Sequence, residues 1–273
     1  MSTSTGTDST PEAALKSGRD YAGRQWQGRR DYQEDSYAVA PPEELGEGER
    51  DLLLVLADGM GGHAAGDVAS RLAVEHFIYE FYENGVLPDD ARMAAALDAA
   101  NLGVGAVARR RGGDAMGTTL LAILVRGRLV EWISVGDSPL FVIRGGAIGR
   151  LNQDHSMGPV IDRLLAKENL TAAEIDGLPS RNELRSALIG EEIELIDAPA
   201  EPFSLEPGDI LIAASDGILT APPREIAKAV CRSAHLDASC IAGAIIESVV
   251  NHHKEKQDNL TVVVFKFDPV VRQ

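Results

Sequence analysis

"LADGMGGHAAGD", residues 56 to 67, sets Asp58 at the end of an apolar run and follows it with Gly59, Met60, Gly61, Gly62 and His63. The run in front, "DLLLVLA" (51 to 57), reads as a buried strand. An acid at the mouth of a strand, followed by backbone almost free of side chains, fits a site that a cation or a phosphate approaches closely. The same residues also fit a tight turn from strand into helix.

Outward from this stretch, the chain alternates between two textures. From Gly66 to Tyr82 the residues Val68, Leu72, Phe77, Ile78 and Phe81 approximate helical spacing, and "PDDARMAAALDAANLGVGAVARR" (88 to 110) is a second helix opened by acids. "GTTLLAILV" and "RLVEWISV" are joined at Arg126-Gly127, and "PLFVIR" and "AIGRLN" at Gly145-Gly146. Both pairs read as antiparallel hairpins, which disfavours a Rossmann-type fold. Residues 157 to 190 turn helical and charged, as an inserted subdomain would. Strand texture resumes with "DILIAAS" (209 to 215), helices are expected around 223 to 232 and 237 to 251, and "NLTVVVFKF" (259 to 267) is a final strand. Residues 1 to 20 are polar, small and aperiodic and read as a disordered lead-in, leaving 21 to 268 as one domain.

The chain has 273 residues and a formal net charge of -16. That charge disfavours nucleic acid or an anionic membrane surface as partner, because both would be repelled. An anionic substrate would need local positive charge, which bound metal supplies. Cys231 and Cys240 lack metal-ligand spacing and read as packing thiols of a reducing compartment. No apolar run reaches membrane-spanning length and the start has no secretory apolar segment, so a cytoplasmic location is expected.

The remaining acids repeat the pattern of Asp58. Asp216 ends "ILIAAS", Asp258 precedes "NLTVVVF", and Glu34 and Asp35 precede the strand "SYAVA". Carboxylates on separate strand ends are expected where those ends converge at one pole of a sheet, and an oxygen-only cluster selects hard cations such as Mg²⁺ and Mn²⁺. Each acid alone also fits a solvated turn.

"RRDYQEDS", "LADGMGGH", "GTTLLAILV", "VGDSPLFVI", "QDHS", "AASDGI" and "DNLTVVVF" occur in the order found in the metal-dependent, type 2C serine/threonine protein phosphatases. The chain resembles the bacterial branch of that family from about Gly28 to Phe267. The resemblance implies an α+β fold, a four-layer αββα sandwich of two antiparallel sheets flanked by helix pairs, with a flap subdomain near 157 to 190. It also implies a two-metal centre holding Mn²⁺ or Mg²⁺, in which Asp58 bridges both ions and the Gly59 carbonyl ligates the second. Asp216 and Asp258 would hold the first ion, Glu34 and Asp35 would act mainly through bound waters, and Asp114 in "DAMGTT" would ligate a third, weaker ion. A surface-loop acid is the other reading of Asp114. Arg30 would grip the phosphoryl group with its planar fork, with Arg29 as the neighbouring alternative.

The implied reaction hydrolyses phosphoserine and phosphothreonine by direct attack of a water or hydroxide bridging two ions, with no covalent intermediate. Phosphoproteins would be the substrates, a separate serine/threonine kinase would oppose the enzyme in trans, and the chain would act as a monomer. Met60 stands where some members of the family carry a histidine proposed as general acid, and methionine cannot donate that proton. His63 is a candidate replacement, or a structural histidine at a helix start. Pro139 replaces an arginine common after "GDS", Asp137 is expected to order its turn, and His155 to support its loop. A catalytically inactive partner-binding protein on the same fold and a different metal-dependent hydrolase are the competing readings. The full set of carboxylates speaks against the first and the net charge against a nuclease.

Overall fold

The computed structural model describes residues 15–40, 51–61, 65–111, 116–167 and 177–268. In chain order the elements are β1 (Tyr21–Trp26), β2 (Asp35–Ala40), β3 (Leu52–Gly61), α1 (Ala65–Glu83), α2 (Asp89–Arg110), β4 (Met116–Thr118), β5 (Leu120–Arg126), β6 (Leu129–Val135), β7 (Leu140–Arg144) and β8 (Ala147–Arg150). They continue with α3 (Gly158–Lys167), β9 (Phe203–Ser204), β10 (Asp209–Ala214), a 3₁₀ turn (Asp216–Thr220), α4 (Pro223–Ser233), α5 (Ala238–Val250) and β11 (Leu260–Phe267).

Strand β3 is apolar on both faces, which forces a layered architecture. Leu52, Leu54 and Leu56 join Leu121, Ile123, Leu211, Val263 and Phe265 in the core between the sheets. Leu53, Val55 and Ala57 point the other way, onto Phe77 and Phe81 of α1 and Leu97 of α2. A strand buried on both faces needs a cover on each side. Strand β11 repeats the arrangement: Val263 and Phe265 face the inter-sheet core, while Val262 and Val264 pack with Ile226 and Val230 of α4 and Ile241 and Ile245 of α5.

The strands order as β1-β11-β10-β7-β8 in one sheet and β2-β3-β5-β6-β9 in the other, with β4 paired to β3. Every strand pairing is antiparallel. The expected αββα sandwich is therefore the observed one, with α1 and α2 outside one sheet and α4 and α5 outside the other. No helix among the described residues is long and apolar enough to cross a membrane.

Some local expectations differ. Residues 15–20 of the expected lead-in are placed: Leu15 is buried, Ser17 bridges Tyr21 and Arg19 pairs with Asp20. Residues 1–14 lie outside the described residues. Helix occupies Gly158–Lys167 of the segment 157 to 190, but 177–190 is turns and bends, anchored by single bridges such as Thr118 to Leu188. Cys231 and Cys240 are exposed rather than packed, on the outward sides of α4 and α5. Strand β1 was not legible because its burial does not alternate regularly.

One contact ties the segment around Gly190 to α2. Asn101 donates to the Glu191 carbonyl at 2.6 Å and accepts from the Gly190 amide at 2.8 Å. Gly190 has φ +85°, and a Cβ placed there would lie 2.1 Å from the Cα of Gly105 on α2. Gly190→Ala is expected to lower the unfolding free energy by about 2–5 kcal/mol, combining left-handed strain with overpacking against backbone. Gly208→Ala is the control, since Gly208 has φ +90° with open space around it. It should cost only about 1–2 kcal/mol, the conformational part alone. Urea midpoints of the two variants, at unchanged slope, check the difference.

Candidate metal centre

The opening stretch does not turn at Asp58. Strand β3 continues through Gly61, with Gly59, Met60 and Gly61 paired to Thr118, Gly117 and Met116 of β4. The glycines serve approach rather than reversal: a Cβ on Gly59 would lie 2.1 Å from the Gly66 carbonyl and 2.5 Å from that of Glu34. The Gly59 amide donates to the Glu34 carbonyl at 3.1 Å. Only bare backbone fits there.

Register then gathers the acids. Asp35 lies directly opposite Asp58 across the β2–β3 pair. Asp216 follows β10 and Asp258 precedes β11, neighbouring strands of the other sheet, so all four carboxylates meet where the two sheets present the same end. Glu34, Asp58, Gly59, Asp216 and Asp258 line one cleft of about 680 Å³ together with Arg30, Met60, Asp137, residues 182–187, Ile189 and the acids Glu191, Glu192 and Glu194. Arg29 is not among the lining residues, and its backbone amide instead donates to the Gln257 carbonyl at 2.9 Å.

Asp35 lies beneath this floor, buried. Its Oδ2 accepts hydrogen bonds from Ser215 Oγ and Thr261 Oγ1, each at 2.7 Å, bolting the first sheet to the second. Its Oδ1 has no hydrogen-bond partner among the described residues. Asn259 fixes the approach loop: it donates to the carbonyls of Gln27 at 2.8 Å and Tyr32 at 2.9 Å, and accepts from the Glu34 amide at 2.8 Å. Ser215, Asn259 and Thr261 escaped the sequence reading, although each adjoins or closely follows an acid already singled out.

Burial and mutual repulsion hold Glu34, Asp35, Asp58 and Asp216 above their ordinary range. Burial is the largest cause at Asp58, which is pushed well up, with Asp35, Asp216, Asp137 and Asp258 adding to it. Asp35 rises to about 6 through burial, against hydrogen bonds from Thr261 and Ser215 that pull it down. Asp216 rises to about 6 through burial and then Asp258, and Glu34 rises through burial against the opposing pull of Arg30. Arg30 donates to Asp258 at 2.5 Å, so the cationic fork and one acid satisfy each other across the cleft.

Asp137, expected to order a turn, is also a cleft residue, its carboxyl raised to about 7 by burial and then by Asp216 and Asp154. His155 supports its loop as expected, Nδ1 accepting from the Gly136 amide at 3.2 Å while burial pushes its pKa down. Asp114 and His63 lie outside the described residues.

These groups suit hard divalent cations. Every donor is an oxygen, one buried carboxylate oxygen lacks a partner among the described residues, and Arg30, Lys254 and Arg150 offset the crowded negative charge only in part. Among the described residues, no three acidic, histidine or cysteine side chains close tightly around one point. An ion would therefore draw its ligands inward from the cleft walls.

The shifts predict an inverted pH dependence for the metal-free protein. Asp35, Asp216 and Asp137 titrate higher folded than their reference value of 3.8. Between about pH 4 and pH 7 the folded state thus holds more protons than the unfolded chain, and stability falls as pH rises. In chelator, the melting temperature should be higher near pH 5 than near pH 8, and Asp58→Asn should narrow the gap. Mn²⁺ at 100 times its dissociation constant should stabilise the fold near pH 8 by about 2.7 kcal/mol per independent site, read as a higher melting temperature. Calorimetric melts across pH, with and without metal, check all three outcomes.

Comparison with known proteins agrees with this geometry. Residues 31–185 match the family model described as protein phosphatase 2C. The serine/threonine protein phosphatase PstP of Mycobacterium tuberculosis is 33% identical over 174 residues, covering 61% of this chain and 31% of that protein. This chain thus spans about a third of that relative's length. The crystal structure of the M. tuberculosis phosphatase PstP/Ppp superposes with a TM-score of 0.72 at 29% identity, covering 91% of this chain and 98% of that one. The PstP catalytic domain in complex with two manganese ions superposes at 0.69, with 28% identity and the same coverage. Two antiparallel sheets that bring Asp35, Asp58, Asp216 and Asp258 to one pole, and a family match over more than half of the sequence, place this chain in the protein phosphatase 2C family.

Proposed function

We propose that this chain is a metal-dependent serine/threonine protein phosphatase that hydrolyses phosphoserine and phosphothreonine without a covalent intermediate. The observation that carries the reading is the convergence of Glu34, Asp58, Asp216 and Asp258 with Arg30 in a single cleft. Asp58, the Gly59 carbonyl, Asp216 and Asp258 would hold two Mn²⁺ or Mg²⁺ ions, with Glu34 and Asp35 acting through water and Asp114 offering a third, weaker position. Bound there, such ions supply Lewis acidity that lowers the pKa of water and offsets charge on phosphoryl oxygens.

The protein's own contribution is placement. Asp35, clamped by Ser215 and Thr261, keeps β2 and β11 at fixed separation under the cleft floor. Arg30 exchanges Asp258 for the incoming phosphoryl group, a change that its fork geometry favours once Asp258 is engaged elsewhere. The acidic cleft repels the dianionic substrate until cations reverse the local sign, so catalysis and metal loading are coupled. Met60 offers no proton to the leaving alkoxide.

We further infer that phosphoproteins of the cytoplasm are the substrates, that a separate serine/threonine kinase opposes the enzyme, and that it acts as a monomer. The segment 157 to 190 would act as a flap that selects among phosphoproteins. Its residues 182–187 and Ile189 contribute to the cleft wall.

Release of phosphate from phosphoserine and phosphothreonine peptides should require Mn²⁺ or Mg²⁺ and cease in chelator. Asp58→Asn and Asp216→Asn should each lose several orders of magnitude in turnover while the chain still folds. Arg30→Ala should cost about 1.5 to 3 kcal/mol in kcat/KM, the range for a charge-assisted hydrogen bond, and Arg29→Ala much less. Steady-state kinetics on one phosphopeptide, in chelator and in metal, decides; undiminished release in excess chelator overturns the proposal.

A further inference from the structure

Side chains at i and i+2 of a strand share a face. Because β3 continues past Asp58, Met60 projects to the same side as Asp58, into the cleft. On the opposite wall, Leu188 bridges Thr118 and is fully buried, so the next residue, Ile189, turns outward toward the same space. Met60 is 37% exposed and Ile189 42% exposed, two large apolar side chains at the edge of a cleft rich in acids.

Beyond them lies a second pocket of about 550 Å³. Met60, Gly61, Ile189 and Glu191 border both spaces, so the two adjoin. The lining of the second is apolar where that of the first is charged: Ala108 of α2 and Met116 of β4 complete it, with Arg109 and Glu191 on its polar edge. Glycines keep it open. A Cβ on Gly117 would lie 2.8 Å from both Ile189 Cγ2 and Met60 Cε, and the close packing of Gly105 on Gly190 brings α2 against the far wall. The Asn101 hydrogen bonds to residues 190 and 191 hold that wall in place.

We infer that this pocket is a specificity subsite, which receives an apolar side chain of the phosphoprotein substrate close in sequence to the phosphorylated residue. The inference rests on the phosphatase reading of the adjoining cleft. A phosphoresidue held at Arg30 and Asp58 leaves its flanking chain to pass along the same cleft, and the wall made by Met60, Ile189 and Ala108 offers an apolar side chain shelter from water beside it. Met60 suits the role, because an unbranched thioether adapts to side chains of different shape. The residue that removes a proton donor from the cleft thereby supplies a binding surface.

The test uses the full chain with Mn²⁺ and a set of phosphothreonine peptides identical except at one position, scanned over the two residues on either side of the phosphothreonine, carrying leucine, alanine or aspartate. At the position that reaches the pocket, kcat/KM should be about 10- to 100-fold higher for leucine than for aspartate, the range expected of one apolar side chain in a fitted pocket. Ala108→Phe, which fills the pocket from α2, should remove that preference while keeping p-nitrophenyl phosphate and the alanine peptide within about twofold of the unmodified protein. Ala108→Ser, which leaves the space open, should retain it. Equal rates for leucine and aspartate at every position overturn the subsite, as does a loss in Ala108→Phe that is equal on all substrates. Absence of release from every peptide overturns the phosphatase reading, and the subsite with it.

Discussion

The backbone register that sets Asp35 across from Asp58 is the constraint around which the rest of the molecule is arranged. Two carboxylates at that separation, joined from the second sheet by Asp216 and Asp258, repel one another and lose hydration. Neither effect favours folding. The arrangement persists because the strands next to Asp58, Asp216 and Asp258 carry apolar runs buried on both faces. Leu52 to Ala57 on β3 and Val262 to Phe265 on β11 anchor their ends in the clusters on either side of each sheet. The hydrophobic layers hold the charges together.

Hydrogen bonds from outside the cleft then decide which acids face it. Asp35 is drawn under the floor by Ser215 and Thr261, while Asp58, between the amide-accepting Thr119 Oγ1 and the β4 pairing, is left at the cleft surface. Thr118 and Thr119 secure the Asp58 carbonyl through Oγ1 and the backbone amide. The polar residues around the site thus act on position rather than on chemistry. Their cost in burial is offset because most of their polar atoms find a partner.

The same strand also explains how two unlike spaces adjoin. Asp58 and Met60 share a face of β3, one in the charged cleft and one at the entrance to the apolar pocket. Rigid pairing of Gly59–Gly61 with β4 fixes their separation. The contact of Gly105 with Gly190 fixes the opposite wall, so both spaces inherit their shape from backbone approach that no larger residue permits.

Much of this was legible in the linear sequence. Continuous apolar runs such as "DLLLVLA" require burial on both faces, glycine pairs such as Gly145-Gly146 mark hairpins, and acids placed beside such runs point to a shared pole; each of these signals is local, set by a few neighbouring residues. The ordered motifs added the family, and with it the four layers. What the sequence did not disclose depends on partners far apart along the chain. That β3 continues through its glycines depends on β4, some sixty residues later; that Asp35 lies under the floor depends on Ser215 and Thr261; that Asp137 shares the cleft with Asp216 depends on the two sheets meeting there. Burial, register and desolvation are properties of the assembled sheets, and no local pattern contains them.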